Sequence, residues 1–158
     1  AEYEDSERSF LYEGPRAYAL SQQHKHLPEM QKICSLENLP IFSPVVAPFY
    51  SGMEVSIPLF GSDLKCTMEE LVKFYSDYYK DGLVKCNFEN NEGGFLSASA
   101  FSGKDNMEIS VTGNSERIVL VSRFDNLGKG ASGAAIQNMN ILLGVPEDTG
   151  LSTEWRTL

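Results

Sequence analysis

Near the end of the chain, Gly128-Lys129-Gly130-Ala131-Ser132-Gly133 spells G-x-G-x-x-G, after a strand-like run and at the opening of a helical one. That spacing serves a dinucleotide when it opens a βαβ unit, the glycines allowing a tight turn and close approach to a pyrophosphate. Here the unit has no second strand: after Leu143, the stretch Val145 to Leu158 contains no strand-like apolar run on which a parallel return could be built. Asp148 falls at the distance of a ribose-binding acid, but within Pro146-Glu147-Asp148-Thr149-Gly150, which reads as a turn. A complete Rossmann module is therefore not expected. The glycine-rich helix start is left with two readings: bare N–H groups and a positive dipole end facing an anion or cofactor, or close packing through Gly and Ala.

The rest of the chain alternates helical and strand-like runs. Residues 1–16 are acidic and aperiodic, Pro28-Glu29 opens a short helix through Met30 and Ile33 to Cys34, and prolines 40, 44, 48 and 58 bound strand-like runs at Ile41 to Val46 and Val55 to Phe60. Both strands are expected to be half-buried, because apolar and polar residues alternate from Met53 to Ile57. Thr67 with Glu70 forms a capping box before a helical stripe of Leu71, Phe74, Tyr75 and Tyr78, closed by Asp81-Gly82. Four strands follow, at Leu83 to Phe88, Phe95 to Phe101, Met107 to Thr112 and Arg117 to Phe124, and a last helix runs from Lys129 to Leu143. This order predicts an α+β fold, a mixed and largely antiparallel sheet with helices packed on one face. At 158 residues, one core is expected.

Thirteen Lys and Arg against 22 Asp and Glu leave a net charge of −9, which repels phosphate backbones and anionic lipid. Nucleic acid and membrane are not expected partners, although a local basic group can still hold one phosphate. No apolar run approaches the roughly 18 residues of a membrane helix, and no secretory leader is legible. The sequence opens without Met, which suggests processing or a segment of a longer protein. Cys34, Cys66 and Cys86 have no C-x-x-C spacing, and their odd number argues for reduced thiols, buried or incidental.

His24 and His26 are the only histidines. At i and i+2 in an extended segment before Pro28 they would face the same way. No third ligand stands at a metal spacing, so no metal is expected. The pair reads either as exposed loop histidines or as an acid–base group, imidazole being the side chain suited to proton transfer near neutral pH. The aromatics Phe74, Tyr75, Tyr78 and Tyr79 read as core or interface.

Three blocks resemble the C-terminal half of N-acetyl-gamma-glutamyl-phosphate reductases: Ala17-Tyr18 with His24-Lys25-His26-Leu27-Pro28-Glu29-Met30, Phe42-Ser43-Pro44 with Gly52-Met53, and Asp125-Asn126-Leu127-Gly128-Lys129-Gly130-Ala131-Ser132-Gly133 running into Gln137-Asn138-Met139-Asn140. The resemblance implies a cytoplasmic, NADP-dependent reductase of arginine biosynthesis, acting on an acyl phosphate and assembled as a homo-oligomer, dimer or tetramer. Its Rossmann half and its cysteine nucleophile, in a G-C-x-x-T-like context, are not in this sequence. Residues 1–124 would form the substrate and dimerisation domain. Residues 125–158 would carry the glycine turn and the helix that packs on the cofactor domain. In such an enzyme a thiolate attacks the acyl phosphate, phosphate leaves, and a hydride reduces the thioester.

By the same match His24 is the first choice as base and His26 orients substrate or backs it up, while Asn126 and Gly130 lie nearest the nicotinamide. Lys129 would neutralise a phosphate there or stand solvated at the helix start. Ser51 occupies a position where many relatives carry Arg, so substrate phosphate needs another group, with Arg16 as a candidate. Relatives acting on aspartyl phosphate or carrier-bound aminoadipyl phosphate share this architecture. A self-sufficient cofactor-binding module and a non-catalytic assembly module are the other readings.

Overall fold

The computed structural model describes residues 3–88 and 92–154. The chain divides into two compact units, Ala1–Phe49 and Tyr50–Leu158, instead of folding around one core. In the first unit Leu27 is the one described hydrophobic residue that is fully buried, so residues 3–49 hold together mainly by local turns and short pairings. This structural division differs in kind from the functional one expected at 124/125, which concerns what each segment serves.

The first unit contains a 3₁₀ turn at Phe10–Glu13, strand β1 (Arg16–Ala17), helix α1 (His26–Ile33) and strand β2 (Val45–Val46), with β1 and β2 antiparallel. The run from Ile41 yields only two strand residues. Pro40 and Pro44 lack the N–H groups that a longer ladder needs. Instead, the Gln22 side chain pairs with the Phe42 backbone, donating to its carbonyl at 2.7 Å and accepting from its N–H at 3.0 Å. Ala19 and Gln22 hold left-handed backbone at φ 51° and 56°, so the loop between β1 and α1 is strained as well as pinned.

The second unit is built on a four-stranded sheet of β3 (Met53–Phe60), β4 (Val84–Cys86), β5 (Met107–Gly113) and β6 (Arg117–Phe124), in the order β3-β6-β5-β4. Only the β4–β5 pair is parallel, so the expected mixed, largely antiparallel sheet is what forms. Helix α2 (Met68–Tyr78) starts at Thr67, whose hydroxyl accepts from Glu70 N–H while the Glu70 carboxylate accepts from Thr67 N–H. It packs over β4 and β5. On the opposite face, buried Arg123 meets Glu108 and the Phe101 ring.

Two strand expectations change. Phe95 to Phe101 forms successive turns, with bonds from Ala100 N–H to Ser97, Ser102 N–H to Ser99 and Lys104 N–H to Phe101. Small Ser and Ala residues let this backbone satisfy itself locally. Strand β3 is an edge strand rather than a half-buried one. Its alternating Met53, Val55 and Ile57 face the same side and remain 39%, 41% and 49% exposed.

The last helix begins differently from expectation. Gly128–Ser132 forms a π turn before α3 (Gly133–Leu143), and Gly144 at φ 69° closes α3. The apolar residues Ile141, Leu142 and Leu143 of α3 are exposed. No helix among the described residues is long and apolar enough to cross a membrane.

Candidate functional site

The two histidines meet in the first unit, though not on an extended segment. Lys25 is already helical at φ −56° and ψ −26°, and α1 begins at His26. The ring centroids of His24 and His26 are 4.7 Å apart, with Phe42 5.0 Å and Tyr18 5.9 Å from His24. His24 is thus half-buried between aromatic walls, and His26 is exposed.

The strand pairing and the Gln22 clamp position those walls, with Tyr18 N–H donating to the Pro44 carbonyl at 3.0 Å. His26 N–H donates to His24 Nδ1 at 3.3 Å. The neutral ring therefore carries its proton on Nε2, which is a donor. At that length the contact is weaker than a bond of about 2.9–3.0 Å and costs little to give up.

Arg16 is engaged within the same unit. Its guanidinium donates to the Tyr3 hydroxyl at 2.7 Å and lies 3.9 Å from the Tyr12 ring centroid. The Tyr3 hydroxyl bond, outweighing a smaller effect of burial, raises its pKa above the ordinary arginine value.

In the second unit the glycine turn is organised by Asp125, which no catalytic or binding motif of the sequence marks. Asp125, 2% exposed, accepts from Leu127 N–H at 2.7 Å and Gly128 N–H at 3.1 Å on Oδ1, and from the Ser51 hydroxyl at 2.8 Å and Gly103 N–H on Oδ2. Its carbonyl accepts from Gly130 N–H at 2.8 Å. Burial alone would raise the carboxyl pKa, but these donors outweigh it and hold it below the ordinary value. The signal was available: Asp three residues ahead of the first glycine, able to accept from the N–H two residues on, is an Asx-turn former.

The amides of Leu127 and Gly128 are thus already occupied, and Gly128 and Gly133 serve close packing. A Cβ at Gly128 would meet the Lys104 carbonyl at 2.5 Å, and one at Gly133 would meet Asp105 Oδ1 at 2.2 Å. Asn126 accepts from Gly52 N–H at 2.8 Å, leaving its Nδ2 without a partner among the described residues. Gly130 is exposed. Lys129 Nζ donates to Gln137, whose Nε2 donates to Glu147 at 2.8 Å, and burial lowers its pKa. Ser51 is buried against Asp125 and Ser102, so the side chain at this position faces a carboxylate and not solvent.

Cys34 and Cys66 are exposed, and Cys86 is half-buried with its pKa raised by burial, which disfavours the thiolate. No group of three or more His, Cys, Asp or Glu among the described residues is placed to hold a metal.

These features define an α+β sheet domain with a walled histidine pair in one unit and a carboxylate-tied glycine turn in the other. The profile of the family described as semialdehyde dehydrogenase, dimerisation domain, matches residues 2–126. The chain belongs to that family.

It is 40% identical over 144 residues to N-acetyl-gamma-glutamyl-phosphate reductase 2 of Nostoc sp., covering 85% of this chain and 45% of the relative. It is 38% identical over 149 residues to the N-acetyl-gamma-glutamyl-phosphate reductase of Sinorhizobium fredii, covering 90% and 48%. The chain thus spans just under half the length of these curated relatives. Among solved structures, the fold is shared with aspartate semialdehyde dehydrogenase II from Vibrio cholerae, at a TM-score of 0.56 and 18% identity over 75% of this chain and 35% of that one.

Proposed function

We propose that this chain is the substrate and dimerisation domain of a cytoplasmic, NADP-dependent reductase that converts N-acetyl-gamma-glutamyl phosphate to the semialdehyde in arginine biosynthesis. The observation that carries the reading is His24, set between Tyr18 and Phe42 beside His26 in a chain whose relatives bear that name. In this reading the reactive thiol and the Rossmann half come from sequence outside this chain.

His24 manages the protons. Its Nε2–H donates to the oxygen that gains charge as the acyl carbon is attacked. When the ring instead accepts the thiol proton, it gives up the weak bond from His26 N–H. His26, exposed beside it, orients the substrate.

NADPH, when bound, supplies the hydride. The residues that fit it are Asn126, whose Nδ2 has no partner among the described residues, and exposed Gly130. Lys129 reaches a phosphate only by leaving Gln137, and otherwise ties the turn to α3. Residues 125–158 form the segment that packs on the cofactor half, and the exposed apolar end of α3 supports this. A second copy covers the exposed stripe of β3, in keeping with the dimerisation family.

The test is turnover by the full-length reductase, followed through NADPH absorbance. His24→Ala is expected to lower kcat by about 10²–10⁴ with the acetylated glutamyl phosphate. Unchanged turnover, or faster reduction of aspartyl phosphate than of the acetylated substrate, overturns the reading.

A further inference from the structure

We infer that Asp125 is a positioning residue for the cofactor end of the site, acting through Asn126; the inference rests on the reading of Asn126 above. Asp125 joins three stretches of chain. Its carboxylate holds Ser51 ahead of β3, Gly103 ahead of β5, and the Leu127–Gly128 backbone after β6.

Asn126 forms the neighbouring rung, accepting from Gly52 N–H at 2.8 Å. Position 52 admits only glycine. It sits at φ 123°, and a Cβ there would lie 2.4 Å from the Ala98 carbonyl oxygen. Residues 51–52 and 125–126 are thus locked side by side by two adjacent hydrogen bonds.

The lock has a directional consequence. Because an N–H can donate only to the amide oxygen of Asn126, the flip of that side chain is fixed and Nδ2 points the other way. Asn126 therefore presents one donor, in one orientation, to an acceptor such as a carboxamide or ribose oxygen. Of the groups fixing that orientation, Asp125 holds both ends. It fixes the backbone on either side of Asn126 and, through Ser51, the residue preceding Gly52.

The test is a double-mutant cycle in the full-length reductase, reading NADPH binding by fluorescence titration without substrate, beside KM for NADPH against KM for the acyl phosphate. Asn126→Ala is expected to raise KM for NADPH about tenfold, the worth of one hydrogen bond, with KM for the acyl phosphate unchanged. Asp125→Asn keeps the shape but turns an amide donor against backbone N–H groups, and is expected to give about the same rise. The double variant should again give about tenfold, not about a hundredfold, because both changes remove one interaction.

Additive effects, or a normal KM for NADPH in Asp125→Asn beside a raised one in Asn126→Ala, overturn the inference and leave the cofactor reading standing. A normal KM in Asn126→Ala removes the cofactor reading and the inference with it. Where Asp125→Asn fails to fold, Ser51→Ala removes one of the four donors. It should raise KM about threefold, non-additively with Asn126→Ala; an additive effect overturns the inference.

Discussion

Arg123 donates to Glu108 Oε1 through Nη2 at 2.6 Å and Nε at 3.1 Å, with both residues nearly sealed from solvent at 1% and 4% exposure. Nη1 reaches Glu92, which is half-buried. Burial alone would favour the neutral guanidine, yet the hydrogen bonds it donates to Glu92 and Glu108 outweigh it and raise the pKa. The cluster joins β5 to β6 and ties Glu92 to them, so it holds the sheet whose strand β6 leads into Asp125.

Removing one partner leaves the other charged and buried. Arg123→Met should therefore cost about 3–5 kcal/mol. Arg123→Met with Glu108→Leu should cost less than the single change, since the stranded carboxylate is gone and Glu92 can turn to water. Denaturant unfolding of the two variants checks this, and a double variant weaker than the single one refutes it.

The pH dependence of stability follows from Asp125. Its folded pKa lies below the ordinary 3.8, so its ionised form adds stability that is complete above that value and is lost as pH falls through the folded pKa. The protein should lose stability on acidification below about pH 4, and Asp125→Asn should flatten that acid limb while lowering stability at neutral pH by about 1–3 kcal/mol. Thermal melts across the acid range measure both. An acid limb unchanged by the substitution would assign it to other carboxylates.

What was legible in the sequence was whatever depends on local pattern. The Thr67–Glu70 capping box and the β6 run at Arg117 to Phe124 appear as expected, because cap chemistry and period-2 alternation are encoded residue by residue. The histidine pair was legible as a pair. Its route was not, since only tertiary context sets Lys25 in a helical conformation. The Phe95 to Phe101 run misled because its serines and alanines bond within turns. Asp125 and Ser51 lie far apart in sequence, and Gln22 and Phe42 are separated by a helix, so neither pairing leaves a local trace.

Self-association should depend on β3. Its Met53, Val55 and Ile57 share one face and remain substantially exposed, while β6 takes its only paired edge. Val55→Glu with Ile57→Glu would place two like charges into any interface formed there, a large cost on burial. Sedimentation velocity should show a shift to smaller particles with the circular dichroism spectrum unchanged. Retention of the parent mass would move the interface elsewhere.

Gln22 should matter to turnover although it has no chemistry to offer. Its side chain makes both hydrogen bonds to the Phe42 backbone, at 2.7 and 3.0 Å, and the Phe42 ring lies 5.0 Å from His24. Gln22→Ala frees Phe42, whose neighbouring chain has few other ties, and widens the space in which His24 can turn. Two bonds worth about 0.5–1.5 kcal/mol each set the scale, so kcat should fall about tenfold in the full-length reductase. Because the change touches only the wall beside His24, KM for NADPH should be unaltered, unlike in the Asn126→Ala variant. Gln22→Glu keeps the acceptor for Phe42 N–H but sets a carboxylate oxygen against the Phe42 carbonyl, and should be at least as slow. Steady-state kinetics with both substrates varied separates the effects. If either variant matches the parent kcat, the aromatic wall is not held by this clamp.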